Sequence, residues 1–228
     1  GIENNTGMCM RQVILETLHL SKDEVVILSG PSHAEEVVQK YPTAIVVACD
    51  NIDHARYVQK IFSNEYFRVY ASKDVIGVEF GGAAKNIIAL AAGICHGLGF
   101  GDNTMAALVT RGLEEIIRLG TALGAERTTF SGLSGMGDLV VTAYSPHSRN
   151  RQVGVRIGKG EKISDILSSM EMVAEGVETT RSMHFLSRHH HIEMPICEQI
   201  YRVIFEGMSP RQGILKLMGR ELVDEHSV

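Results

Sequence analysis

The sequence predicts an α/β layer followed by an all-α region. Two observations carry this. Short β-branched runs alternate with helical patterns over the first 75 residues, and strand signals then stop. Every later segment with a clear period reads as a helix.

The elements are read in order. Met10, Val13, Ile14, Thr17 and Leu18 follow a helical period. Val25 to Leu28 is a β-branched run, ended by Ser29-Gly30-Pro31. Ala44 to Cys49 and Phe67 to Ala71 are two more, with a helix between them over Asp53 to Phe62. This βαβ-like order implies a sheet with helices on it. The later helices are expected at 76–98, 103–124, 149–158, 163–170, 177–189, 195–206 and 210–219. Pro195 and Pro210 sit where first turns begin. A sheet of three strands leaves an edge and a face short of partners.

Composition narrows the functions. Of 228 residues, 44% are hydrophobic and 21% charged, as in ordinary globular proteins. The net charge of -5 gives no reason to expect nucleic acid. Cys9, Cys49, Cys95 and Cys197 are isolated and read as reduced core residues. With no secretory signal at the start, the expected location is cytoplasmic. Val78 to Cys95 is apolar apart from Glu79, Lys85 and Asn86. A lysine near the middle of a membrane span is costly, so a buried core helix is expected instead. His189-His190-His191 reads as a solvated helix end rather than a metal site, because consecutive side chains on a helix diverge.

Four segments could carry chemistry. Lys85-Asn86 stands on the apolar helix, where lysine is rare unless paired or functional. Burial makes an ammonium easier to deprotonate, which suits a proton donor near neutral pH. Gly81, Gly82, Ala89 and Ala92 share its side of the wheel and leave room for a ligand. The alternative is a structural lysine paired with Glu79 or Asp138. Ser148-Arg149-Asn150-Arg151 opens a helix with Ser148 as cap. Two arginines in a first turn oppose the helix dipole unless an anion binds there; the alternative is that they face solvent or pair with acids. Ser29 to Glu35 turns from a strand into a helix, with Ser32 and Glu35 as a capping box. Gly132 to Asp138 reads either as a flexible turn or as the source of an acid for Lys85 or a substrate hydroxyl. No G-x-G-x-x-G occurs, and Gly97 to Asp102 only approaches one.

Six runs, in order and at matching approximate spacing, resemble the NAD(P)-dependent glycerol-3-phosphate dehydrogenase family, bacterial type. They are Leu28-Ser29-Gly30-Pro31-Ser32, Gly81-Gly82-Ala83-Ala84-Lys85-Asn86, Gly97 to Asn103, Gly135-Met136-Gly137-Asp138-Leu139, Ser148-Arg149-Asn150-Arg151 and Val173-Ala174-Glu175-Gly176-Val177. The resemblance implies part of a Rossmann-type sheet layer over residues 1–75 and an all-helical substrate domain over 76–228. It implies reversible hydride transfer between NAD or NADP and a phosphorylated triose, giving sn-glycerol 3-phosphate for phospholipid synthesis.

Carried over, Lys85 is the proton donor and acceptor, with Asn86 and Asp138 orienting it. Gly30, Ser32, Lys85, Asp138, Thr142, Ser148, Arg149 and Asn150 contact substrate. Ala34, Arg149, Val173 and Glu175 contact the cofactor, and no metal is implied. The family's opening strand, glycine-rich turn and helix, which hold the pyrophosphate, have no counterpart here. A family lysine stands just before the Gly-Ile-Glu that opens this sequence, so a cut by a trypsin-like protease is one expectation. Further expectations are that the isolated chain is inactive, that it forms a homodimer, and that the N-terminal segment is a separate partner. A second enzyme reading is a reductase of hydroxy acids or other sugar phosphates with the same plan. A third is a non-catalytic piece that dimerises or binds substrate. The choice of NAD or NADP is set near the ribose and stays open.

Overall fold

The computed structural model describes residues 1–4, 6–170 and 174–225. Val173, expected to touch the cofactor, lies outside the described residues. Strands β1 (Ile27–Ser29), β2 (Thr43–Ala48) and β3 (Phe67–Ser72) form one sheet in that order. β2 and β3 are parallel, joined over the helix α3 (Ile52–Phe62), while β1 runs antiparallel to β2. Alternation along β2 separates two faces. Ile45, Val47 and Cys49 pack with Ala55 and Val69 on the α3 side. Val46 and Ala48 pack with Val75 and Val78 on the other.

Val75 and Val78 begin α4 (Val75–Gly97), the helix on which the rest of the fold is arranged. Asp74 caps it, accepting from Gly77 N at 2.8 Å and tying in Glu126 N at 2.9 Å. It is apolar on most faces because neighbours cover most faces. It is long enough to cross a membrane, yet 78% of its most apolar window is buried in this fold. α5 (Asp102–Ala122), α6 (Asp138–Tyr144), α7 (Arg149–Gly158) and α9 (Glu175–His189) pack against it. α10 (Pro195–Phe205) and α11 (Pro210–Met218) start on the expected prolines, and α8 (Ile163–Ser168) is a short connector. α1 (Met10–Leu18) and α2 (Ala34–Val37) belong to the N-terminal third. Ile2 joins the helical core, and Ser182 and Glu178 of α9 hydrogen-bond Asn4.

The parallel pair α4 and α7 is held unusually close. A Cβ on Gly93 would stand 2.0 Å from Arg151 O, and one on Gly154 would stand 2.1 Å from Leu90 O. Gly97 and Gly158 meet the same limit one turn on, against Val155 O at 2.4 Å and Ile94 O at 2.5 Å. Only glycine lets two helix backbones approach this far.

Three expectations change. The strand read at Val25 to Leu28 is Ile27–Ser29, because Val25 and Val26 only lead into the ladder. The Ser32–Glu35 capping box does not form: His33 is the cap residue of α2, and Ser32 Oγ donates to Gly30 O at 3.2 Å. Of the two readings of the glycine-dense segment, the flexible turn gives way, and Asp138 does meet Lys85. Leu133–Gly137 is a π-helical turn that runs directly into α6. His189, His190 and His191 are exposed at the end of α9, as expected.

Candidate active site

Lys85 lies midway along α4, partly buried, with Nζ 2.5 Å from Asp138 Oδ2. Of the two acids left open as its partner, Asp138 is the one. Glu79 faces α1 and accepts from Arg11 N at 2.7 Å. Asp138 opens α6, and its position depends on how closely the π-helical turn reaches α4. A Cβ on Gly81 would stand 2.7 Å from Ser134 O, so only glycine admits this contact. Gly82 faces Ser29 Oγ, which a Cβ would meet at 2.4 Å. Thus Gly82 borders the space beside Lys85, whereas Gly81 is small to admit the π-helical turn. Ala89 and Ala92 are fully buried and line neither cavity beside Lys85, so they leave no room for a ligand.

Asp138 is buried, and desolvation pushes its carboxyl above the ordinary carboxylate value. The Lys85 ammonium, hydrogen bonds from Lys85 and Thr142, and the charge of His33 oppose that rise. Thr142 Oγ1 donates to Asp138 O at 2.6 Å, one turn back along α6.

Two cavities meet at Lys85 and Gly82. One, of about 390 Å³, is lined by Ser29, Gly30, Ser32, Glu79 and Asp138 among others. Gly30 has φ +135°, and a Cβ there would crowd Ile45 Cα at 3.0 Å, so the β1 turn requires glycine. The second, of about 240 Å³, is lined by His33, Asn86, Thr142, His147, Ser148, Arg149, Asn150 and Glu175 together with Lys85 and Gly82. Here the first turn of α7 faces the lysine. Ser148 caps it, accepting from Arg151 N at 3.3 Å. Asn150 Oδ1 accepts from Gly176 N at 2.8 Å, and Asn86 Nδ2 donates to Glu175 Oε2 at 3.5 Å. These bonds tie α4, α7 and α9 together at one cleft.

The structure therefore gathers Lys85, Asn86, Thr142, Ser148, Arg149, Asn150 and Glu175 in one cavity, with Gly30, Ser32 and Asp138 in the adjoining one. Ala34 is exposed at the start of α2 and lines neither. His33 and His147 line the cleft without having been singled out. Each sits inside or beside a run read for chemistry, which was the available signal.

Residues 74–215 match the family model described as NAD-dependent glycerol-3-phosphate dehydrogenase C-terminus. The chain belongs to the NAD-dependent glycerol-3-phosphate dehydrogenase family. Residues 1–55 match the model of the N-terminus of the same dehydrogenase. A curated glycerol-3-phosphate dehydrogenase [NAD(P)+] of Pelotomaculum thermopropionicum is 57% identical over 221 residues, covering 96% of this chain and 63% of that protein. One of Salinibacter ruber is 52% identical over 227 residues, covering 99% and 67%. The crystal structure of glycerol-3-phosphate dehydrogenase from Coxiella burnetii superposes with a TM-score of 0.91 at 36% identity, covering 96% of this chain and 67% of that one. The chain thus spans about two thirds of the length of these dehydrogenases.

Proposed function

We propose that this chain carries the substrate-binding and proton-transfer part of an NAD(P)-dependent interconversion of sn-glycerol 3-phosphate and dihydroxyacetone phosphate. The observation that carries the reading is the Lys85–Asp138 pair, 2.5 Å apart, beside a cleft closed by the first turn of α7. Backbone N–H groups and guanidinium at such a turn suit a phosphate. Lys85 is then the acid that gives a proton to the C2 oxygen during reduction and removes it during oxidation. Asp138 holds the ammonium in place, and Asn86 with Glu175 fixes the far wall. The cofactor, when bound, supplies or accepts the hydride.

Arg149 and Glu175 suit the nicotinamide end of that cofactor, because both face the cleft Lys85 closes. We place Ala34 and Val173 with them from the family pattern. The sequence has no G-x-G-x-x-G to hold a pyrophosphate. We therefore expect this chain alone to bind NADH weakly and to be inactive; micromolar affinity in a calorimetric titration contradicts that. The same reading assigns residues 1–75 to the nucleotide-binding domain and 76–228 to the substrate domain. It extends to a cytoplasmic homodimer that supplies glycerol 3-phosphate to phospholipid synthesis and is completed by the N-terminal segment.

The test compares turnover of dihydroxyacetone phosphate and unphosphorylated dihydroxyacetone by full-length enzyme carrying this sequence. A strong preference for the phosphate ester is expected. Equal rates sink the assignment of α7 to phosphate.

A further inference from the structure

We infer that His33 and His147 form a proton-accepting pair that matches the substrate cleft to a doubly charged phosphate ester. The inference rests on the functional reading above and deepens it, by assigning charge recognition to two further side chains. Both line the cleft, one at the cap of α2 and the other just before α7. Their ring centroids are 6.2 Å apart with the planes tilted by 59°. That spacing leaves room for one anion oxygen between two N–H donors.

The charge balance calls for them. Among the described residues, Lys85 of α4 and Arg149 of α7 bring positive charge to the cleft, and Glu175 of α9 brings negative charge. Asp138 of α6 is bonded to Lys85 from the neighbouring cavity. Glu79 lines that neighbouring cavity too, where Gly1 brings its amine, so positive and negative charges balance. Glu35 and Glu36 on the helix of His33 are exposed, and Arg151 of α7 lines neither cavity. A dianion entering a balanced, partly buried site needs added positive charge, because water no longer screens it. Imidazole is the side chain that gains charge most readily between about pH 5 and about pH 8.

A second observation singles out His33. Its Nε2 is buried and has no hydrogen-bond partner, which buried ring nitrogens rarely tolerate. It lines the same cavity as Lys85, beside the Lys85–Asp138 pair. On binding, the dianion keeps its bonds, and protons pass from solvent to the imidazoles.

Sulfate is the probe, because it stays doubly charged across the pH range, so that any pH effect reports the protein. Calorimetric titration of the full chain with sulfate is expected to show affinity falling about tenfold or more between about pH 5.5 and about pH 8.5. The double variant His33→Gln, His147→Gln is expected to flatten that profile. Melting curves check that it folds; if it does not, the single variants His33→Asn and His147→Asn make the same comparison. Sulfate affinity independent of pH in the parent chain, or an unchanged slope in the variants, overturns the inference. Saturable binding of sn-glycerol 3-phosphate without proton uptake overturns it while leaving the functional reading intact. No saturable binding of that ester at any pH overturns both.

Discussion

Nζ of Lys85 and Oδ2 of Asp138 meet at 2.5 Å, although they stand on separate helices 53 positions apart in the chain. What brings them together is backbone contact at Gly81, where the π-helical turn lies against α4. The pair is therefore built by main-chain packing, with the side chains only completing it. Lys85→Ala in the complete enzyme should lower the rate by about 10²–10⁴-fold. Asp138→Asn should also lower it, since it leaves the ammonium without its counter-ion. Steady-state assays decide, and a near-normal rate for Lys85→Ala removes the role assigned to it.

Gly154→Ala should damage stability through the contact of α7 with α4. Its methyl group would fall 2.1 Å from Leu90 O, a backbone atom that cannot swing aside. Overpacking of this kind costs about 1–3 kcal/mol. Urea titration of the variant should show that loss. A midpoint equal to the parent's would mean that α4 and α7 separate at no cost.

Glu115 gives a pH dependence of folding. It lies buried on α5 and accepts from Ile196 N at 2.6 Å and Cys197 N at 3.1 Å, at the start of α10. Desolvation nonetheless pushes its pKa up to about 7. The native state then keeps a proton that the unfolded chain releases near 4.5. Stability from this group is complete below that lower value and falls as pH rises towards about 7, by about 3 kcal/mol in all. Denaturation midpoints measured across this window should decline with rising pH. Glu115→Gln should remove that decline, and a variant profile parallel to the parent's would assign it elsewhere.

The thiols should be slow to react in the native state. Burial raises Cys9 to about 12 and Cys95 to about 11, and lifts Cys197 well above its ordinary value. Thiolate is the reacting species, so alkylation at pH 8 should be slow until denaturant is added. Mass spectrometry after a timed pulse of iodoacetamide counts the modified sites. Rapid labelling of Cys95 or Cys197 in native protein would contradict the packing around α4 and α10.

Much of the fold can be read from the sequence where local chemistry decides. The starts of α7, α10 and α11 follow from Ser148, Pro195 and Pro210, each of which acts on its own turn. Lys85 is conspicuous because a charge midway along a mostly apolar helix needs a reason. Its partner is not legible, since Glu79 and Asp138 differ only in how distant segments pack. Glycine misleads for the same cause. At Gly135 a Cβ would meet Phe130 O at 2.1 Å, so the residue serves contact, although locally it reads as turn chemistry. The Ser32–Glu35 box fails because the Ser32 hydroxyl is engaged by Gly30 O. The repeats Gly93-x-x-x-Gly97 and Gly154-x-x-x-Gly158 stood in view, and only the partner helix shows what they are for.

Those four glycines also make a measuring device. With α4 and α7 locked backbone to backbone, the span from the main chain of Lys85 to the first turn of α7 is set by helix geometry, and only the lysine stem can adjust it. The two jaws of this calliper cannot slide without melting the contact. On the proposed function, an ester with one carbon more or fewer between its anionic and carbonyl ends should turn over more slowly, and kcat/KM for such a homologue checks this.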